Sequence, residues 1–301
     1  MLEGWYQIAY ERELLGELTP ASAGNHALMI VKSGGEISTF DSICPHMGTN
    51  LAIGGILGEG HIVCPFHNFK IGLGKNEGSQ FWVTEYPTLV AGGMVFVFFS
   101  SQKIEINPFR SFITGLDQKV FFVPGIKMEI LTNFTNVTGN AFDSNHFRPI
   151  HRVLNTPQLE RVVTDGSTLK MTGVFNLPSS PWYASALKGE ILQIPYTPEA
   201  FSPGLVVSHM GGNPQYWVIT SSLPHGSKGS IVYVSIGVYA DSNENQPEED
   251  LLRYMLERMR ANLKLDAQIW ENMPAERPFT PTANDNGVVA FREYCLQFNP
   301  L

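Results

Sequence analysis

Charge of one sign is what this sequence most conspicuously lacks. Charged residues make up 16% of the chain, the formal net charge is −8, and lysine and arginine form no stripe or cluster. Nucleic-acid binding runs on basic patches that neutralise phosphates, so that class is excluded. Long apolar runs are missing too. The longest, Leu89–Phe99, is interrupted by Gly92-Gly93 and falls well short of the roughly 20 residues that carry a helix across a bilayer, so no membrane span is expected. The opening stretch MLEGWYQIAYERELLGELTP holds four acids, one arginine and no apolar core. It is not expected to act as a secretory signal, and the chain is expected to be cytoplasmic. Three cysteines are too few for a disulfide framework. The glycine pairs Gly34-Gly35, Gly92-Gly93 and Gly211-Gly212 never assemble into G-x-G-x-x-G, so no nicotinamide or flavin site is expected.

What is present reads as an ordered chain of 301 residues, 43% hydrophobic, long enough for two domains. From about 25 to 100, short apolar runs alternate with glycine: Leu28–Lys32, Glu36–Phe40, His61–Cys64, Phe81–Thr84 and Met94–Phe99. Short strands with turn signals at close spacing predict an all-β unit. Ser101–Ser111, with Asn107-Pro108, reads as a connection. Beyond it, Val120–Val123, Met128–Phe134, Leu159–Thr164, Thr168–Phe175, Leu205–Ser208, Tyr216–Ser221 and Ile231–Tyr239 are strand candidates rich in β-branched and aromatic residues. Prolines between 176 and 204 predict a long irregular excursion, a candidate lid. After the Asp241–Asp250 loop, the pattern predicts one long helix from Glu248 to Met273, and a shorter helical segment is expected around Gly139–Arg148.

Two of the cysteines keep company with histidines. Cys44-Pro45-His46 is followed, after seventeen residues, by Cys64-Pro65-Phe66-His67. Two thiolates and two imidazoles, one of each from a tight loop, suit a [2Fe–2S] centre in which histidines replace cysteines on one iron. A structural zinc site is the competing reading, but zinc pairs usually leave two to four residues between ligands, and Cys44-x-His46 leaves one. Cys295 stands apart and reads as a small core residue.

A second constellation is Asn140-Ala141-Phe142-Asp143-Ser144-Asn145-His146-Phe147-Arg148-Pro149-Ile150-His151. A helix through Asp143 and His146 would put both on one face. His151 would then lie about 140° away, and Pro149 is expected to break the helix at Arg148 and re-aim it. Within the long helix, periodicity separates the acids. Asp266 shares a face with Met259, Leu263, Ile269, Trp270 and Met273, whereas Glu257 shares one with Arg253, Arg260, Lys264 and Gln268. A carboxylate on an apolar stripe must be hydrogen-bonded, paired or metal-bound. The histidines His26, His61, His209 and His225 have no ligand-like spacing.

Cys-Pro-His-x-Gly-x-x-Leu, standing at Cys44 to Leu51, resembles the first cluster box of Rieske oxygenases and Rieske ferredoxins. The second box departs from the common pattern, with Asn68-Phe69 where Gly-Trp is frequent and a glycine-rich Gly72–Gly78 turn. Asp-x-x-His-x-x-x-x-His at Asp143, His146 and His151 is similar to the signature that Rieske oxygenases carry after the cluster domain, and Lys264–Glu271 is similar to the segment carrying their third iron ligand. The resemblance implies an α+β chain, with an N-terminal all-β Rieske domain over 1–106. A helix-grip catalytic domain over 107–301 would pair an antiparallel sheet with a long C-terminal helix. It implies Cys44, His46, Cys64 and His67 as [2Fe–2S] ligands, and His146, His151 and Asp266 as ligands of a mononuclear Fe(II). Asp143 is implied as the carboxylate bridging to a neighbouring subunit's cluster.

It further implies a homotrimer, O2 as co-substrate, and electrons from a separate ferredoxin or NAD(P)H-dependent reductase. The expected substrate is a hydrophobic or aromatic small molecule, hydroxylated or oxidatively demethylated. Trp182, Tyr183, Tyr196, Phe201, Tyr216 and Trp217 are either core or lining of its pocket. Competing readings are a Rieske electron carrier without catalysis, a dihydroxylating relative and a zinc-stabilised binding protein.

Overall fold

The computed structural model describes residues 1–75, 80–101, 108–178, 191–239, 249–274 and 278–301. Its N-terminal part is built from β1 (Gly4–Tyr10), β2 (Leu18–Ala23), β3 (His26–Ser33), β4 (Glu36–Asp41), β5 (Ile56–Gly58), β6 (His61–Val63), β7 (Lys70–Leu73), β8 (Phe81–Val83), β9 (Glu85–Tyr86), β10 (Thr88–Ala91) and β11 (Met94–Phe99). Helix α1 (Phe109–Asp117) leads to β12 (Val120–Ile130), α2 (Phe134–Gly139), a 3₁₀ turn at Asn140–Phe142 and α3 (Ser144–His151). Then come β13 (Glu160–Val162), β14 (Leu169–Pro178), β15 (Ile191–Ser202), β16 (Leu205–Met210), β17 (Tyr216–His225), β18 (Gly229–Tyr239), α4 (Glu249–Trp270) and α5 (Asn286–Cys295).

Strands β1 and β11 are buried at every position. Their sheet, ordered β1-β11-β10, shares one core with Leu28 and Ile30 of β3 and with Phe201, Leu205, Ile219 and Leu223 of the large C-terminal sheet. A strand covered on both faces loses the alternation that marks half-buried strands, which is why GWYQIAY gave no signal. Trp5 and Phe96 both pack on Phe109 of α1, at centroid separations of 5.6 and 5.0 Å. Cutting Phe109 back to alanine would cost about 3–5 kcal/mol. The expected connection at Ser101–Ser111 is therefore helical from Phe109 onward; residues 102–107, and with them the 106/107 boundary, lie outside the described residues.

The large sheet runs β12-β18-β17-β16-β15-β14-β13, each neighbour antiparallel. One face meets the N-terminal unit. The other is covered by helices: α4 packs Leu252 and Met255 with Val206, Ile236 and Val238, and α5 adds Phe291 and Tyr294. The fold is thus α+β, with an all-β N-terminal unit and a long C-terminal helix gripping an antiparallel sheet. Among the described residues no helix is long and apolar enough to cross a membrane.

Three local expectations change. Val120–Val123 and Met128–Ile130 are one edge strand, β12, whose register shifts between Pro124 and Ile126; the second expected strand stops at Ile130, and its last residue, Phe134, opens α2 instead. An edge with a bulge tolerates the proline, and a Cβ at Gly125 would collide with Leu256 of α4. Among its described residues, the excursion at 176–204 is mostly strand. Pro195 and Pro198 lie in β15, whose pairing with β14 runs to Lys170↔Glu199 and resumes at Gly173↔Tyr196, skipping the positions opposite Pro198. The remainder of the candidate lid, 179–190 with Trp182 and Tyr183, falls outside the described residues, as do 76–79 of the Gly72–Gly78 turn and 241–248 before α4. Finally, Ile269 and Met273, expected beside Asp266 on the buried stripe, are exposed, while Ala267 joins Leu263 and Trp270 in the core. The apolar stripe is narrower than periodicity suggested.

Candidate cluster and metal centres

Two loops of matching shape bring the first four residues together. In one, Cys44 N–H donates to Thr49 O and Gly48 N–H returns to Cys44 O, at 2.8 and 2.9 Å; in the other, Cys64 N–H donates to Phe69 O and Asn68 N–H returns to Cys64 O, at 2.9 and 3.0 Å. Each turn needs a left-handed residue at the same place, and Gly48 (φ 81°) and Asn68 (φ 57°) supply it. Asparagine is among the few side chains that tolerate that region, so the departure from Gly-Trp in the second box preserves the turn. Phe69 sets its ring edge-on to His46, 4.8 Å away.

The loops sort their donors by depth. Cys44 and Cys64 are buried, while the rings of His46 and His67 meet edge to face at 4.7 Å nearer the surface. Burial raises the Cys44 thiol above its ordinary range. At Cys64 burial works in the same sense, but the N–H groups of Phe66 and His67 outweigh it and lower the thiol. Backbone donors aimed at sulfur favour a thiolate, the form that binds metal. Two buried sulfurs beneath two imidazoles match the donor set of a histidine-bearing [2Fe–2S] cluster.

The second centre is assembled by α3 and α4. Asp143 is not on the helix face as expected: it is the N-cap of α3, with an extended backbone, and its Oδ1 accepts from Asn145 N–H at 2.9 Å. Its carbonyl accepts from His146 Nδ1–H at 2.7 Å, whereas its carboxylate stays 3.8 Å from that nitrogen, beyond hydrogen-bond reach. The helix also does not stop at Arg148. It runs through Pro149 to His151, with Arg152 closing it in the left-handed region (φ 58°). Pro149 has no N–H to give the carbonyl of Asn145, so its effect is a missing internal bond rather than a break.

His146, His151 and Asp266 converge: one donor atom from each lies within 4.8 Å of the others. The imidazoles stand 5.0 Å apart at 88°, and His151 Nε2 is 3.2 Å from Asp266 Oδ1. Asn140, which heads the constellation in the sequence but received no role there, completes the group. Its amide nitrogen is 3.1 Å from His146 Nε2 and donates to Asp266 Oδ2 at 3.2 Å. With His146 Nδ1 donating to a carbonyl, Nε2 presents its lone pair inward. The Asn140 amide thus offers hydrogens to two acceptors that face one point, as a cation there would be faced. Burial lowers His146 below the ordinary histidine range, against the opposing pull of Asp266 and Asp143, which favours the neutral ring that a metal ligand needs. His151 Nδ1 is buried with no hydrogen-bond partner among the described residues. Two imidazoles and a buried carboxylate fit a ferrous ion with open coordination positions.

An aromatic wall leads away from this centre. Phe147 lies against His146 (4.0 Å between centroids) and packs on Phe175 and Tyr196 at 4.7 and 5.6 Å. Tyr196 is tied by its hydroxyl to Ala141 O at 2.8 Å. Of the other aromatics proposed as core or lining, Phe201 and Tyr216 are buried and Trp217 is half-buried, stacked on His209.

Residues 4–87 match the Rieske [2Fe-2S] domain family, and 115–299 match the 3-ketosteroid 9alpha-hydroxylase C-terminal domain family, which takes in more than half of the chain. Cholesterol 7-desaturase nvd of Drosophila melanogaster is 27% identical over 198 residues, 60% of this chain and 43% of the fly protein. The chain therefore spans less than half the length of that curated relative. Among solved structures, NdmA of Pseudomonas putida CBB5 with caffeine superposes with a TM-score of 0.72 at 14% identity, over 97% of this chain and 89% of its own. Apo dicamba monooxygenase gives 0.69 at 15%, over 97% and 95%. At those identities the structures establish a shared fold.

Proposed function

Because the chain belongs to the Rieske non-haem iron oxygenases, with a catalytic domain of the 3-ketosteroid 9alpha-hydroxylase type, we propose that it uses O2 to hydroxylate or oxidatively demethylate a hydrophobic small molecule. The observation that carries this reading is the convergence of His146, His151 and Asp266 in a chain that also pairs Cys44 and His46 with Cys64 and His67. In this reading the cysteines hold one iron of the cluster and His46 and His67 the other. His146, His151 and Asp266 hold the mononuclear iron. When bound, the cluster supplies single electrons and the ferrous ion supplies O2 activation. The chain's own residues do the rest. The Asp143 carbonyl fixes the tautomer of His146, and Phe147 with Phe175 and Tyr196 keeps water from one side of the reacting volume.

Asp143 has a second role in this reading. Its side chain is about a third exposed, which suits a carboxylate accepting from a cluster imidazole of a neighbouring subunit. A head-to-tail homotrimer would bring such a neighbour. Exposed Met47 and Phe66 on the cluster loops, and exposed Leu265 and Ile269 on α4, support such contacts. The cluster domain is proposed to cover 1–106 and the catalytic domain 107–301. Electrons come from a separate ferredoxin or NAD(P)H-dependent reductase. The family description and the fly relative both name steroids, which with the aromatic wall supports a polycyclic apolar substrate.

The test is turnover by cluster- and iron-loaded protein with a surrogate ferredoxin, reductase, NADH and 18O2, against 3-ketosteroids, sterols and N- or O-methylated aromatics. One class is expected to yield an oxidised product that His146→Ala abolishes. About two iron atoms per chain instead of about three, with no O2-dependent product from any class, would overturn the reading in favour of an electron carrier.

A further inference from the structure

Helix α5 contributes nothing to either centre directly, yet its N-terminus is fitted closely to the segment that carries Asp143 and His146. A Cβ at Gly287 would collide with the carbonyl of Phe142, and one at Gly139 would come within 2.9 Å of Phe291. Phe142 and Phe291 stack at 5.2 Å and 14°. At the end of this contact lies Asp285, buried to 9% exposure. Its Oδ2 accepts from Thr282 N–H and Thr282 Oγ1–H at 2.6 and 2.7 Å, and its Oδ1 accepts from Asn145 Nδ2–H at 2.8 Å.

From Asn145 the connection continues to the metal centre. Asn145 N–H donates to Asp143 Oδ1 at 2.9 Å, and Asp143 O accepts from His146 Nδ1–H at 2.7 Å. Asn145 is therefore held at both ends, by its side chain to α5 and by its backbone to the cap of α3. An eight-residue helix that contains a proline has little intrinsic stability, so its orientation must be imposed from outside. Asp285 supplies that constraint from a neighbouring element.

We propose that Asp285, acting through Asn145, is a positioning residue for the mononuclear metal centre, setting the pose of Asp143 and His146. The proposal rests on the reading of His146, His151 and Asp266 as the iron site. Loss of the Asp285–Asn145 bond would leave the three ligands in place but free His146 and the Asp143 cap to shift together.

Ferrous binding to cluster-loaded protein under anaerobic conditions, with the electron paramagnetic resonance of its nitric oxide adduct, tests it. Asp285→Asn and Asn145→Ala are each expected to weaken ferrous binding roughly tenfold and to broaden or shift the nitric oxide signal. The reduced-cluster signal should not change. Because the Asp285–Asn145 bond is common to both substitutions, the double variant should lose clearly less than the sum of the two single losses. Asn145→Ala leaves Asp285 its two bonds to Thr282, so it keeps the test decisive if Asp285→Asn disturbs folding. Parental affinity and signal in Asn145→Ala, or losses that add in full, would overturn the proposal. His146→Ala separates this from the parent reading: if that variant still bound one ferrous ion with the same nitric oxide signal, the iron-site assignment itself would fall.

Discussion

His151 Nε2 and Asp266 Oδ1 meet at 3.2 Å, one from the last residue of a proline-containing helix and the other from the buried face of α4. His151 Nδ1 has no partner among the described residues, so Asp266 is the polar contact this ring makes there. Asp266→Asn keeps the shape but removes the charge. It is expected to lower ferrous affinity by more than the roughly 10–100-fold that outer partners of metal ligands are worth. Iron analysis should then fall from about three to about two atoms per chain, with the visible spectrum of the cluster unchanged. Retention of the third iron in Asp266→Asn would remove this residue from the ligand set.

Asp143 caps α3 and is the proposed bridge between the centres, two roles that substitution can separate. Asparagine caps a helix about as well as aspartate, so Asp143→Asn should keep α3, both metal contents and thermal stability. Without a charged carboxylate to link the two centres, turnover is expected to drop at least about 100-fold, consistent with a loss of outer-partner function. Asp143→Ala should show the same loss and in addition cost about 1 kcal/mol of stability as the cap disappears. Single-turnover reoxidation of the reduced cluster by O2 and substrate reads the step; parental rates in Asp143→Asn would dismiss the bridge.

Asn140 places one amide against both His146 Nε2 and Asp266 Oδ2. In protein stripped of iron, Asn140→Ala would leave a buried carboxylate oxygen and a ring nitrogen short of a donor. The expected cost is about 1–3 kcal/mol, measured by urea denaturation. Ferrous ion stabilises the folded state by mass action and takes over the same acceptors, so its addition should shrink the difference between Asn140→Ala and parent. An equal difference with and without iron would show that the amide and the ion do not share acceptors.

These residues also mark what could be read from the chain alone. Ligand spacing is a local property, so Cys44, His46, Cys64 and His67 were legible as a set, whereas His146 and His151, two histidines beside a proline, drew a ligand role only from the resemblance to the Rieske oxygenase signature. Asp266 was legible through helical period, since an acid between Leu263 and Trp270 must be accounted for. Asn140 and Asp285 were not, because an asparagine or aspartate near a turn is ordinary until tertiary packing gives it a partner. Their contacts to Asp266 and Asn145 cross more than a hundred residues. In the fold, the both-sides-buried β1 hid behind its lack of alternation. By contrast α1 did carry a signal, in Phe109, Phe112, Ile113 and Leu116 at helical spacing, masked by the preceding Asn107-Pro108.

His209 gives the pH prediction. Burial lowers its pKa below the ordinary 6.5, with Lys170 acting in the same sense and a hydrogen bond donated to Gln215 opposing. The unfolded chain therefore binds more protons at this site than the folded one as pH falls through about 6.5, and stability must decline on that side. The loss grows until the folded value is passed and then levels off. His209→Phe, which keeps a ring to stack on Trp217 at the same face, is expected to flatten the dependence of melting temperature on pH between about 7 and 5 relative to parent. A parental slope in the variant would assign the acid sensitivity to other groups.

The second cluster loop offers the sharpest backbone test. Asn68 holds φ 57° and donates its N–H to Cys64 O at 3.0 Å, the place that Gly48 fills in the first loop. Glycine at 68 meets no steric penalty there, so Asn68→Gly should retain the cluster with an unchanged spectrum. A β-branched residue pays about 1–2 kcal/mol or more for the left-handed region, and Asn68→Val must either bear that strain or open the turn that orients Cys64 and His67. The expected result is faster bleaching of the cluster on mild heating in Asn68→Val, with Asn68→Gly and parent alike. Equal bleaching rates in all three would mean that the left-handed turn at 68 is not what keeps Cys64 and His67 in place.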